Sequence, residues 1–114
     1  MGSSNYNGFK ADDKLTRKED FHAWKTTLDL MLEDQDVMDY VQGKIQEPPS
    51  STPAATKTKY KKGEIKAKLM IRDSIHKSLV AYISELGTSK EMYDKLVNMS
   101  RPTMRIKSYS SRIN

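Results

Sequence analysis

The densest run of side chains able to bind a ligand is Lys57 to Lys68, KTKYKKGEIKAK, which carries six lysines, Lys57, Lys59, Lys61, Lys62, Lys66 and Lys68, around Tyr60. Ammonium groups at this density can contact phosphates and give a salt-sensitive affinity for a polyanion without choice of base sequence. The same pattern also describes the solvated face of an ordinary helix, and no aromatic ladder or recognisable nucleic-acid module accompanies the lysines. Catalytic chemistry has less to work with. The two histidines, His22 and His76, lack the spacing of metal ligands and read as helix-surface residues. Asp73-Ser74-Ile75 is one residue from the Asp-Ser-Gly signature of retroviral-type aspartic proteases, but it lies in a helical pattern without the glycine that permits the tight turn. A glycine-rich phosphate loop, a nucleophile elbow and a carboxylate pair in a recognisable setting are all missing. Nothing here argues for an enzyme, a bound metal or a cofactor.

These residues must be positioned by a small framework. A chain of 114 residues suits a single domain. Hydrophobic residues make up 36% and charged residues 31%, a balance that fits a small helical domain with a wet surface. With no cysteine, disulfides and thiolate metal sites are excluded. No apolar run approaches the roughly 20 residues needed to span a bilayer. The start, MGSSNYNGFK, has no apolar core like that of a secretory signal, and Asn5-Tyr6 breaks a myristoylation pattern. A cytoplasmic protein without membrane contact is the expectation.

The net charge of +5 is unevenly spread. Residues 1–34 hold 5 basic and 7 acidic side chains and residues 35–56 hold 1 and 3, whereas residues 57–86 hold 8 and 3. Residues 87–100 balance at 2 and 2, and residues 101–114 add 4 basic groups and no acid. An acidic front and a basic back favour head-to-tail self-association or contact with a polyanion.

Apolar spacing then predicts an all-α bundle of about five helices over residues 15–99, between a disordered N-terminus at 1–14 and a basic tail at 100–114. The organising stretch is Thr16 to Asp34. Thr16 followed by Glu19 is a capping-box pattern, and Asp20 suits the positive end of the helix dipole. Phe21, Trp24, Leu28 and Met31 recur at spacings of three, four and three, so they line one helix face. Trp24, the single tryptophan, centres that stripe. Val37, Met38, Tyr40 and Val41 suggest a short second helix ended by Gly43 in a left-handed cap. Glu47 to Ala55, EPPSSTPAA, is a proline-rich connector, with a PxxP-type ligand as the other possibility. A third helix is expected over Thr56 to Ser74, with Tyr60, Ala67, Met70, Ile71 and Ile75 inward and Gly63 weakening its first turns. After a break at His76 and Ser78, Leu79, Tyr82, Ile83 and Leu86 predict a fourth helix closed by Gly87. Thr88 to Glu91 repeats the capping box and opens a fifth, with Met92, Tyr93, Leu96 and Val97 inward.

Taken together, these pieces resemble the Gag polyprotein of copia-type long-terminal-repeat retrotransposons, particularly those of plants. Phe21-His22-Ala23-Trp24-Lys25 is similar to the family's aromatic-x-x-Trp-Lys opening. Leu28, Met31 and Leu32 follow, then Asp39-Tyr40-Val41, the proline loop, and Ile71, Ile75 and Leu79 of a middle helix. Thr88-Ser89-Lys90-Glu91-Met92-Tyr93-Asp94-Lys95-Leu96 resembles a Thr-Ala-Lys-Glu-Met-Trp-Asp-x-Leu signature. The resemblance implies the N-terminal lobe of a capsid protein that self-associates into a virus-like particle around element RNA. It departs from that family in two places. By the resemblance, the second capsid lobe is expected to be lacking from these residues, and without cysteine they cannot form a Cys/His zinc knuckle. Met104–Asn114 resembles a fragment of the second lobe joined after a deletion, so a shortened copy is expected. The expectation is therefore a non-catalytic assembly protein, and the rival is a small RNA-binding protein acting through Lys57–Lys68 and the basic tail.

Overall fold

Trp24 lies at the centre of the interior, 1% exposed, and the elements of the fold are built around it. The computed structural model describes residues 9–10 and 14–100. It is all-α: α1 spans Phe21–Asp34, α2 Met38–Val41, α3 Ala54–Asp73 and α4 Ser89–Ser100, with 3₁₀ helices at Lys18–Asp20 and Lys77–Tyr82. The expected N-terminal and C-terminal segments at residues 1–8, 11–13 and 101–114 lie outside the described residues.

The chain enters along the C-terminal end of α3. Leu15 makes an isolated parallel bridge with Ile75. Its N–H donates to the Ser74 carbonyl at 2.9 Å, and its own carbonyl accepts from the His76 N–H at 2.9 Å. This anchor keeps residues 14–16 extended and overturns the first capping box. The Thr16 hydroxyl donates instead to the Lys14 carbonyl at 3.3 Å. Helix α1 opens five residues later, after Asp20, whose side chain makes no cap hydrogen bond. Phe9 is also buried, and its N–H donates to Asp73 Oδ2 at 2.7 Å. That position therefore belongs to the core rather than to a disordered arm.

Two consecutive Schellman turns then fold α1 onto α2 and α2 away from it. At the first, Asp36 sits at φ 61°, its N–H bonds the Glu33 carbonyl, and the Val37 N–H bonds the Leu32 carbonyl. Val37 and Leu32 are both buried, which supplies the apolar contact that accompanies this motif. The second turn uses Gly43 at φ 81°, as its sequence position predicts. Pro53, at φ −53° and ψ 147°, ends the connector and precedes α3, which starts two residues earlier than expected.

The predicted fourth helix is not α-helical. Lys77–Tyr82 forms a 3₁₀ helix with the Leu79 N–H on the His76 carbonyl, and turns follow in which Ile83 bonds Val80 and Leu86 bonds Ile83. The apolar positions Val80, Ile83 and Leu86 recur every three residues, the period at which a 3₁₀ turn eclipses side chains. Ile83 is buried, Leu79, Val80 and Leu86 pack against the core from its edge, and Tyr82 is exposed. The second capping box does form. The Glu91 N–H donates to Thr88 Oγ1 at 3.1 Å, while Glu91 Oε1 accepts from the Gly87 and Thr88 N–H groups at 3.0 and 3.2 Å.

Of the stripe residues, Phe21, Trp24, Leu28, Tyr40, Ile71, Ile75, Met92 and Leu96 are buried, whereas Met31 and Leu79 are half-buried against that core. Leu15, Leu32, Ala67, Met70 and Val97 complete the interior. The Trp24 ring stacks on Tyr93 at 6.4 Å between centroids and tilts against Phe21 at 5.9 Å. Its indole N–H donates to Ser74 Oγ at 2.9 Å, and Ser74 in turn donates to the Ile71 carbonyl at 2.6 Å. A buried indole needs such a partner, and the C-terminal end of α3 supplies it.

Candidate functional site

Helix α3 presents two chemically different faces, and the lysines belong to the outer one. Its inner face carries Gly63, Glu64, Ala67, Met70 and Ile71. The glycine is there because the Tyr40 ring lies on it: a Cβ at Gly63 would stand 2.2 Å from Tyr40 Cζ. Glu64 is only 7% exposed. Its Oε1 accepts from the Ser89 N–H at 3.2 Å and from the Ser89 hydroxyl, and its Oε2 accepts from the Tyr60 hydroxyl at 3.2 Å. Burial and the Glu64 charge raise the Tyr60 pKa. This carboxylate ties α3 to the start of α4.

Drawing Glu64 inward shapes the outer face. It is the single acid between Ala54 and Arg72, so the outside of the helix keeps its cations without a carboxylate among them. At 3.6 residues per turn, Lys57, Lys61, Lys68 and Arg72 run along one edge and Lys59, Lys62 and Lys66 along the other. Between the rows lie Ile65, 48% exposed, and Leu69, 58% exposed. Lys59, Lys61, Lys62 and Lys66 are exposed, while Lys57 and Lys68 are half-buried. The Lys57 ammonium donates to the Ser50 carbonyl and so is turned toward the proline connector. A groove of about 450 Å³, lined by Glu47 and Pro48 on one side and Tyr60, Lys61, Ile65 and Lys68 on the other, separates that connector from the helix, so Glu47 faces the edge of Lys57, Lys61 and Lys68 from outside the helix. The ion pairs among the described residues, Lys14–Asp73, Lys25–Asp29 and Lys90–Asp94, involve none of these lysines.

The six lysines are thus one surface, but not a homogeneous charged stripe. The apolar centre, Ile65 and Leu69, was the feature the sequence reading missed. Its signal was present: the two are four residues apart and fall opposite Tyr60, Ala67 and Ile71 on a helical wheel. Such a face can dock on a phosphate backbone through its rims, or on an apolar, acid-rimmed protein surface through rims and centre together.

Elsewhere the polar constellations are structural. His22 is exposed, and His76 Nδ1 accepts from the Ser78 N–H at 3.1 Å and caps the 3₁₀ helix. Asp73 and Ser74 hold Phe9, Lys14 and Trp24, as described. Tyr93 donates to Asp29 Oδ1 at 2.5 Å, and Lys25 reaches Asp29 Oδ2 at 2.9 Å. Burial first, and then the bond to Asp29, push the Tyr93 pKa up to about 12. The hydrogen bond to Asp29 raises that of Lys25. Among the described residues no group of three or more His, Cys, Asp and Glu side chains could hold a metal ion, and no helix is long and apolar enough to cross a membrane. Comparison with family models, curated proteins and solved structures found no match.

Proposed function

We propose that this chain is a non-catalytic, capsid-type assembly module, the helical lobe of a copia-type retrotransposon Gag, working in the cytoplasm by self-association. The observation that supports this reading is the pair of apolar positions left in solvent on a helix whose other face is fully used by the core, Ile65 and Leu69 on α3. A side chain such as leucine loses about 1.5–3 kcal/mol of burial free energy when left exposed, so a protein partner has something to gain there. The resemblance of Phe21–Lys25 and Thr88–Leu96 to Gag points the same way. RNA contact through Lys57–Lys68 is auxiliary to assembly in this reading.

The rival, an RNA-binding protein, draws on the carboxylate-free lysine rows alone. Sedimentation velocity across protein concentration, with and without single-stranded RNA, tests both. The assembly reading expects mass to grow with protein concentration in the absence of RNA. Tight, strongly salt-dependent RNA binding by a protein that stays monomeric at every concentration would overturn it in favour of the rival.

A further inference from the structure

The assembly reading leaves open which surfaces meet, and the distribution of charge around exposed apolar residues answers that. Helix α1 also has an outer face. Ala23, Thr26 and Leu30 follow one another at spacings of three and four, all exposed, with Leu30 at 63% the most exposed large hydrophobic residue described. The next turn carries Glu33 and Asp34, both exposed, and Asp36 and Asp39 follow just beyond. Glu33, Asp36 and Asp39 line a shallow concavity of about 410 Å³ with Met38, Gln42 and Lys44, so three carboxylates face one ammonium group there. The nearby Lys25 is engaged by Asp29. Leu30 is therefore an apolar centre with an acidic rim, the counterpart of Ile65 and Leu69 with their lysine rims.

We infer that the outer face of α3 in one copy docks on the outer face of α1 and α2 in the next copy. Apolar contact of Ile65 and Leu69 with Leu30 supplies the centre. Lys62 and Lys66 against Glu33 and Asp34 set orientation and encounter rate. The contact is heterologous: each copy uses two different faces, both turned away from its core, so each docked copy still offers one free acidic and one free basic face. Assembly of this kind runs on as an open chain or closes into a ring, and it does not stop at a two-fold dimer. The helices are about 21 and 30 Å long, which limits the contact to the small end of specific interfaces and makes it weak.

The inference rests on the assembly reading, and the test separates their failures. One variant, Lys62→Gln with Lys66→Gln, removes the two charges of the basic face that the pairing sets against Glu33 and Asp34, with helix-compatible side chains. A second, Glu33→Gln with Asp34→Asn, removes the two acidic charges nearest Leu30 at a helix C-terminus, where loss of negative charge does not harm the helix. Circular dichroism melts establish that both fold. In sedimentation velocity the unmodified protein should gain mass continuously with concentration, and each variant alone should need roughly tenfold more protein for the same gain. At concentrations too low for either variant to associate alone, an equimolar mixture of the two should form heterodimers and go no further, because each partner keeps one competent face. Raising salt from about 0.1 to 1 M, which cuts the screening length from about 10 to 3 Å, should weaken association without abolishing it. Association that stops at a closed dimer, or that survives both variants unchanged, overturns the pairing while leaving self-assembly intact. So does a lysine variant that loses binding to a single-stranded RNA oligonucleotide but associates normally. A wild-type protein monomeric throughout overturns both.

Discussion

The two ends of α3 are joined to the rest of the molecule by different kinds of interior. Toward its C-terminus the junction with α1 is made of ring and methyl groups, Trp24 among Ile71 and Tyr93, and the polar link from α3 into it is neutral, indole to Ser74. Toward its N-terminus the junction with α2 and α4 buries an acid, Glu64, and a ring seated on a glycine, Tyr40 on Gly63. The first depends on filled volume, which costs the transfer of removed atoms and a cavity when it is lost. The second depends on donors meeting a carboxylate, which costs most when a donor or acceptor is left alone in the interior. One helix uses both, and the second also clears its outer face of negative charge.

The largest separation between the junctions comes from volume. Trp24→Ala should cost about 3–5 kcal/mol, comparable with the whole stability of a small domain, and urea or thermal melts should show it unfolded or nearly so. A melt matching the unmodified protein would remove Trp24 from the centre of the fold. At the other end, Gly63→Ala forces the Tyr40 ring off the helix and should cost about 1–3 kcal/mol by overpacking, although alanine is the better helix former. Stabilisation by that substitution would mean Tyr40 does not rest on Gly63.

Ser89→Ala probes the acid itself. It removes one donor to Glu64 and leaves the Ser89 N–H and the Tyr60 hydroxyl, so the expected loss in urea denaturation is about 1 kcal/mol. The caps give a smaller contrast. Thr88→Ala should cost about 1 kcal/mol, whereas Thr16→Ala, whose hydroxyl caps no helix, should change the midpoint by no more than a few tenths. Equal losses at both sites would restore the first capping box.

The smallest effect is silent at neutral pH. The Tyr93 proton, held up to about 12 against 10.0 for a free tyrosine, stabilises the folded state fully below about 10. That contribution is lost as pH rises from 10.0 toward about 12, because the unfolded chain gives up the proton first. Lys25, whose pKa is raised by Asp29, acts in the same direction. Tyr93→Phe should therefore flatten, without abolishing, the fall of melting temperature with alkaline pH. An unchanged slope would detach Tyr93 from the Trp24 junction.

Much of the fold follows from short-range patterning. The spacing of Phe21, Trp24 and Leu28 determines a helix face, Gly43 a left-handed stop, and Thr88 with Glu91 a helix start, because each involves atoms within a few residues of one another. The six lysines are legible in the same way, as a cationic segment of a helix. Tertiary contacts decided the rest. Thr16 and Glu19 have the same local pattern as Thr88 and Glu91, yet Leu15 is bound to Ser74 and His76, 59 and more residues away, and that ladder outcompetes the cap. Asp36 takes a left-handed turn that glycine would favour, since the contact between Val37 and Leu32 holds it there. Glu64 is indistinguishable in sequence from a surface partner for the neighbouring lysines. Only the approach of Ser89, 25 residues on, draws its carboxylate inside and leaves Ile65, Leu69 and the lysines as an outward face of one charge. Which side of a helix is in excess depends on what packs against the other side, and that is set by the whole chain.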